Sequence, residues 1–411
     1  MRRILVSAYA CEPLKGSEQG VGWNWVLQMA KNNYIHIITR ANNRNIIEAN
    51  LPKEISKNIT FHYYDTNNFI KGLKNKAKGL YSYYFFWQLG IIPLIMKLKA
   101  KEKFDYSMHL TMGSIWMPTF LPFFKIPFIW GPVGGGEGIP KTFLSSLPVK
   151  QRVVQTLRYF LKYLNYLNPL FIYTCIKAHL IITRTNNTLD FIPKIFRHKS
   201  KVFLETSMED EIFRIQKNIN FSKEIQLVTT GRLVPIKNVI TIIKALTFIP
   251  KRYKIKLTII GSGNENERIC NEIVKAKISN KINFIEETTR EDVLSILSES
   301  DIYLFPSLRE GGSWALMEAM VIGLPVICLN WSGMEIITNE QSAIRLPVSN
   351  PDQMPKDMAD AICKLIDNPK LMERMGKAGR ERIKNVFNWD AKGAFMENLF
   401  NDLDNTKKLE S

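Results

Sequence analysis

The chain has 411 residues, 45% of them hydrophobic and 23% charged, and 56 Lys+Arg against 38 Asp+Glu leave a formal net charge of +18. That length implies two or three domains, each with its own core, and the composition excludes a disordered or fibrous chain. Five cysteines (Cys11, Cys175, Cys270, Cys328 and Cys363) stand far apart with no Cys-x-x-Cys, which argues against a disulfide framework or a cysteine zinc site and for a reducing compartment.

The chain opens MRRILVSAYACEP, where Glu12 and Pro13 cut the apolar run short of a signal-peptide core. The expectation is a buried first strand, Ile4–Ala8, in a cytoplasmic protein. A glycine-rich loop, Lys15-Gly16-Ser17-Glu18-Gln19-Gly20-Val21-Gly22, leads to a helix around Val21–Lys31 and a strand Ile35–Thr39. It is not G-x-G-x-x-G, so the dinucleotide fingerprint is absent. Ile59–Tyr63, Asp105–His109, Phe128–Trp130 and Leu180–Thr183 continue as strands with basic helices between them, and a second glycine loop runs from Gly131 to Glu137. The polar stretch 205–224 reads as a linker between a first domain, 1–204, and a second, 225–388; residues 389–411 form a last helix and polar tail. The second domain repeats the rhythm: strands Ile225–Thr229, Lys256–Ile260, Ile282–Phe284, Ile302–Phe305 and Val326–Cys328, with helices Val239–Leu246 and Glu265–Lys277. Near-continuous Ile/Val/Leu runs separated by helices predict parallel sheets covered on both faces. The fold class is therefore α/β, two doubly wound, Rossmann-like domains that bind ligands at the carboxyl ends of their strands.

The positive charge is concentrated. Residues 71–104 hold eight Lys against Glu102 alone, and residues 141–201 hold eleven Lys+Arg against Asp190 alone. Both stretches are rich in aromatics, among them Tyr81, Tyr83, Tyr84, Phe85, Phe86 and Trp87, then Tyr159, Phe160, Tyr163 and Tyr166. Basic residues beside aromatics fit an anionic membrane surface, and a peripheral place on the inner face of the plasma membrane. Nucleic acid is the rival polyanion, and a solvated basic face is the plain alternative. The 18 uncharged residues between Lys78 and Lys97 are diluted by Gln88, Gly90 and Pro93, so a buried or interfacial helix is expected there and not a membrane span.

Two constellations carry chemistry. Gly231-Arg232-Leu233-Val234-Pro235-Ile236-Lys237-Asn238 follows a strand and precedes a helix, which places two cations at a strand's carboxyl end, an anion site fit for a diphosphate. Glu310-Gly311-Gly312-Ser313-Trp314-Ala315-Leu316-Met317-Glu318 follows Pro306-Ser307 and puts a glycine turn at a helix start between two carboxylates able to accept from vicinal hydroxyls. Either one alone also fits an ordinary βα turn.

Taken together with Gly261-Ser262-Gly263 and Gly323-x-Pro325-Val326, they resemble the retaining glycosyltransferases of family 4, closely over residues 225–340 and loosely over most of the chain. The resemblance implies the two-domain GT-B architecture, with an acceptor-binding first domain, a nucleotide-sugar-binding second domain, an active site in the interdomain cleft and a terminal helix crossing back to the first domain. It implies that Arg232 and Lys237 hold the donor diphosphate, Glu318 the ribose and Glu310 the transferred sugar. Gly231 and the amides of Gly312 and Ser313 would help hold the donor, and the loop of Gly16 would reach its phosphates. His109 falls where the family often has a histidine beside the donor sugar; a histidine at a strand end is as readily structural. Two places depart from the family pattern: the usual Asn-Gly-Val-Asp reads Glu205-Thr206-Ser207-Met208-Glu209-Asp210, and the usual Gly-x-Gly reads Gly311-Gly312-Ser313. The only Asp-x-Asp, Asp402-Leu403-Asp404, lies in the tail, so neither a metal nor a cofactor is expected beyond the nucleotide diphosphate sugar as co-substrate. The implied function is a retaining hexosyltransferase using a sugar or lipid-linked acceptor in surface polysaccharide or glycoconjugate assembly. The competing readings are a sugar-nucleotide epimerase of the same architecture and a basic, non-enzymatic nucleic-acid-binding protein; the paired Glu motif speaks against nucleic acid as partner.

Overall fold

A computed structural model describes residues 1–72, 79–215, 217 and 224–410. Lys74, Lys76 and Lys78 of the first basic stretch, and all of Gln216–Lys223 but Lys217, lie outside the described residues.

The chain divides into two compact units. The first comprises Met1–Gly136, Leu161–Glu205 and Trp389–Ser411; the second comprises Glu137–Phe160 and Thr206–Asn388. The first unit holds strands β1 (Arg3–Ser7), β2 (Tyr34–Arg40), β3 (Ile59–Tyr64), β4 (Tyr106–His109), β5 (Phe128–Val133), β6 (Ala178–Thr183) and β7 (Ser200–Val202) in the order β3-β2-β1-β4-β5-β6-β7. The second holds β8 (Ile225–Thr230), β9 (Ile255–Ile260), β10 (Ile282–Ile285), β11 (Ile302–Phe305), β12 (Val326–Leu329) and β13 (Ala343–Leu346) in the order β10-β9-β8-β11-β12-β13. Every pairing is parallel. The expected doubly wound α/β class is what the sheets show, because strands such as Ile302-Tyr303-Leu304-Phe305 are buried at every position and need helices on both faces. In each sheet the winding reverses beside the first strand, at β1/β4 and at β8/β11, and such a reversal opens a crevice at the carboxyl ends.

Three expectations need correction. Strands β7 and β13 were not foreseen: Ser200-Lys201-Val202 and Ala343-Ile344-Arg345-Leu346 lie at sheet edges, only partly buried, and lack a continuous apolar run. The segment after Lys78 forms two helices, Leu80–Gly90 and Ile92–Lys101, and Tyr83, Tyr84 and Trp87 are buried in the first unit's core around Tyr9. Those three aromatics serve packing and not an interface. Residues 137–160, expected in the first domain, group with the second unit. The Trp331 indole donates to the Gly138 carbonyl at 2.8 Å, Arg309 to the Gln155 side chain at 3.3 Å and Arg268 to the Ser146 carbonyl at 3.3 Å.

The terminal helix Trp389–Glu410 belongs to the first unit. Arg2 donates to Glu397 at 2.6 Å and to Asp404 at 2.7 Å, and Asp404 also accepts from the Tyr106 hydroxyl at 2.6 Å. Asp402 pairs with Lys201 at 3.2 Å. Both carboxylates of the Asp-x-Asp are thus engaged in holding the helix down.

Candidate active site

The loop after β8 is shaped by glycine. Gly231 sits at φ +131°, and a Cβ on Gly261 (φ +138°) would lie 2.0 Å from the Gly231 carbonyl oxygen, so the turns after β8 and β9 can touch only with glycine there. Leu233 N–H donates to the Ser262 carbonyl at 2.9 Å and fixes that approach. The chain then makes a single 3-10 turn, Pro235–Lys237, and enters the helix Val239–Phe248 through Asn238 at φ +55°, a conformation asparagine tolerates better than most.

That turn delivers Lys237 to the end of the neighbouring β11. Its ammonium donates to the Glu310 carboxylate and lies 5.2 Å from the centroid of the Phe305 ring. The Ser307 hydroxyl donates to the same Glu310 oxygen at 2.7 Å. Gly231, Arg232, Lys237, Phe305 and Pro306 line one recess at the β8/β11 reversal. Arg232 is exposed and, among the described residues, has no ion pair.

Beyond Glu310 the backbone is clamped from β12's side. The Glu310 carbonyl accepts from Gly333 N–H at 3.0 Å and from the Ser332 hydroxyl at 2.5 Å, and a Cβ on Gly333 would lie 1.6 Å from the Gly311 carbonyl oxygen. A Cβ on Gly312 would meet Thr206 Oγ1 at 2.3 Å. Ser313 caps the helix Trp314–Ile322, its hydroxyl accepting from Leu316 N–H at 3.3 Å. Its side chain is therefore used for capping, which leaves first-turn amides as the groups able to face an anion. Glu318, one turn on, is paired with Arg290 at 3.1 Å. Burial pushes its carboxyl above the usual range, and Arg290 opposes the rise.

Gly16 and His109 lie in the first unit. Gly16 precedes the helix Ser17–Ala30 in extended backbone with open space around its Cα. The later glycines of the loop are packing glycines: a Cβ on Gly20 would lie 2.0 Å from the Lys15 carbonyl oxygen and one on Gly22 as close to that of Ala10. Glu18 turns back to accept from Met112 N–H at 2.5 Å. His109, at the end of β4, is buried, with Nε2 3.1 Å from the Tyr84 hydroxyl. Burial lowers its pKa to about 4, so the ring is neutral at pH 7.

Of the expected residues, Gly231, Arg232 and Lys237 line one recess, and Glu310 reaches it by pairing with Lys237; Gly312 and Ser313 form the turn after Glu310, and Glu318 is held one turn on by Arg290. Ser307 and Ser332 fix Glu310, and Arg290 holds Glu318, three roles that the motifs alone do not announce. Ser307 was visible as part of the Pro306-Ser307 motif. Arg290 is 28 residues before its partner, and nothing local marks it.

Set beside known proteins, the whole chain superposes on sucrose-phosphate synthase from Thermosynechococcus elongatus with a TM-score of 0.63, at 15% identity over 99% of this chain and 100% of that one. The fold is GT-B, the two-unit architecture of a large class of glycosyltransferases. Residues 210–382, the stretch of the second unit that carries Arg232, Lys237, Glu310 and Glu318, match the family model of glycosyl transferases group 1. An uncharacterized glycosyltransferase of Methanocaldococcus jannaschii is 31% identical over 218 residues, 52% of this chain and 53% of the relative. The capsular polysaccharide biosynthesis glycosyltransferase CapM of Staphylococcus aureus is 26% identical over 324 residues, 73% of this chain and 83% of CapM. The chain thus spans about half the length of the Methanocaldococcus relative and most of CapM.

Proposed function

We propose that this protein is a retaining glycosyltransferase that moves a sugar from a nucleotide diphosphate sugar to a hydroxyl of a sugar or lipid-linked acceptor, in polysaccharide or glycoconjugate assembly at a membrane. One observation carries the reading: Lys237 and Glu310 meet at the β8/β11 reversal, beside Arg232, within the segment that matches glycosyl transferases group 1. CapM, a relative named for capsular polysaccharide synthesis, supports the process.

In this reading the donor diphosphate takes over Lys237 from Glu310 and engages Arg232. Glu310, steadied by Ser307, then accepts from hydroxyls of the transferred sugar, and Glu318 accepts from the ribose. Breaking the anomeric bond builds negative charge on the leaving diphosphate. Two cations already positioned there stabilise it without reorganisation, each worth on the order of 3 kcal/mol. The acceptor hydroxyl attacks the face the diphosphate leaves, gives its proton to a leaving phosphate oxygen, and the anomeric configuration is kept. His109, neutral and buried, takes no proton in this scheme.

The test is product analysis by NMR after incubation with a panel of nucleotide sugars and sugar acceptors. Transfer with the donor's anomeric configuration supports the proposal. An inverted product removes the retaining mechanism, and a free epimerised sugar replaces the transferase by an epimerase.

A further inference from the structure

The helix Val149–Asn165 is built inside out. An ordinary surface helix buries its apolar stripe and wets its polar face. Here Val149, Val153, Leu157, Phe160 and Leu164 recur at helical spacing on one face, and all are exposed, Phe160 to 66% and Leu164 to 58%. Val154, Leu161 and, just past the helix, Leu167 extend the exposed surface. Among the described side chains of this helix the buried positions are polar: Gln155 is 4% exposed and Asn165 5%. Gln155 accepts from Arg309 at 3.3 Å, and Asn165 donates to the Ile115 carbonyl at 3.1 Å. The inward face is therefore specified by hydrogen bonds, and among the described residues the apolar face is left without a partner.

A contiguous apolar surface of this kind calls for an occupant. Its charge says which. No Asp or Glu occurs between Glu137 and Asp190, whereas Lys141, Lys150, Arg152 and Arg158 lie on or beside the helix. Lys141 and Lys150 are exposed, whereas the Arg152 guanidinium donates to the Leu144 carbonyl at 3.1 Å and the Ser145 carbonyl at 2.7 Å. A second copy of the chain would set like charge against like charge across the contact. Among the described residues no helix is long and apolar enough to cross a membrane. We infer that Val149–Asn165 lies in the plane of an anionic lipid surface, its Val/Leu/Phe face entering the headgroup boundary and its cations meeting lipid phosphates. The inference rests on the proposed function only in that a lipid-linked acceptor is found at such a surface; the helix's surface chemistry stands without it.

The experiment is flotation of the full chain with vesicles of phosphatidylcholine alone or enriched in phosphatidylglycerol, for the native sequence, for L157S/F160S/L164S and for K150E. All four sites are on the surface, and circular dichroism together with thermal shift on nucleoside diphosphates reports whether each variant retains its fold and its donor site. The native chain is expected to float with phosphatidylglycerol vesicles and not with phosphatidylcholine alone. The triple variant should lose flotation, and K150E should lose roughly fivefold or more in partitioning, since each cation near such a surface is worth about that factor. If a K150E chain fails to fold, raised salt serves as the second measurement and should release the native chain. No flotation of the native chain, flotation indifferent to lipid charge, or a folded triple variant that still floats would each overturn the inference. So would a concentration-dependent dimer, seen by light scattering, that the triple variant abolishes without any lipid binding. The two readings fail separately: lipid binding without nucleotide binding removes the transferase proposal, and nucleotide binding without flotation removes the lipid surface.

Discussion

Acidification isolates the contribution of one buried side chain. His109 is buried at the end of β4 against Tyr84, and its pKa is lowered from 6.5 to about 4 by burial. In the unfolded chain the ring regains its ordinary pKa, so below pH 6.5 the unfolded state binds more protons than the folded one. The sign follows: stability tied to this neutral ring is complete above pH 6.5 and is lost as pH falls through the folded value near 4. A depression of that size corresponds to about 3 kcal/mol over the window. His109→Gln keeps a neutral hydrogen-bonding group beside Tyr84 and removes the titration. Urea unfolding followed by the fluorescence of the buried Trp25, Trp87 and Trp130, at a series of pH values from 7 to 4, compares the two chains. His36 and His62 titrate in both and cancel in the difference. The variant should lose about 3 kcal/mol less than the native chain across the window. Superimposable profiles would refute the reasoning and mean that protonated His109 finds compensation in the fold.

Two further outcomes test the second unit. Gly312→Ala places a methyl 2.3 Å from Thr206 Oγ1, which has no hydrogen-bond partner among the described residues, so the substitution should cost about 1–3 kcal/mol by urea unfolding. Adding Thr206→Ala should restore most of that loss; an additive double variant would show that the contact is not the cause. Glu318→Ala should leave stability within about 1 kcal/mol, because its partner Arg290 is half exposed. It should also erase discrimination between ribose and deoxyribose forms of the donor in competition binding, and undiminished preference for ribose would remove Glu318 from the nucleotide site.

Legibility in the sequence followed how local each determinant is. Buried strands such as Ile302–Phe305 announce themselves by continuous apolar runs, and the turn glycines by their place after strands. The edge strands β7 and β13 carry Ser200, Lys201 and Arg345, and no period distinguishes them from loop. Composition marked both basic aromatic stretches as one kind of surface, yet Tyr83, Tyr84 and Trp87 are core while Phe160 and Tyr163 are exposed. What separates them is which face meets the sheet, a tertiary fact. The motif spacing placed Lys237 and Glu310 in one site, but their direct pairing and Arg290's hold on Glu318 join residues 73 and 28 positions apart. The attachment of residues 137–160 to the second unit likewise depends on Trp331 and Arg309, far along the chain.

The central claim is that Arg232 and Lys237 grip a diphosphate at the end of β8. Calorimetric titration of nucleoside diphosphates into the native chain and into Arg232→Ala and Lys237→Ala measures this without knowing the sugar or acceptor. The account predicts that one diphosphate binds the native chain, and that each variant weakens it by about tenfold or more, as loss of a charge-assisted contact of 1.5–3 kcal/mol requires. Equal affinity in native chain and both variants, with the fold intact, would contradict it.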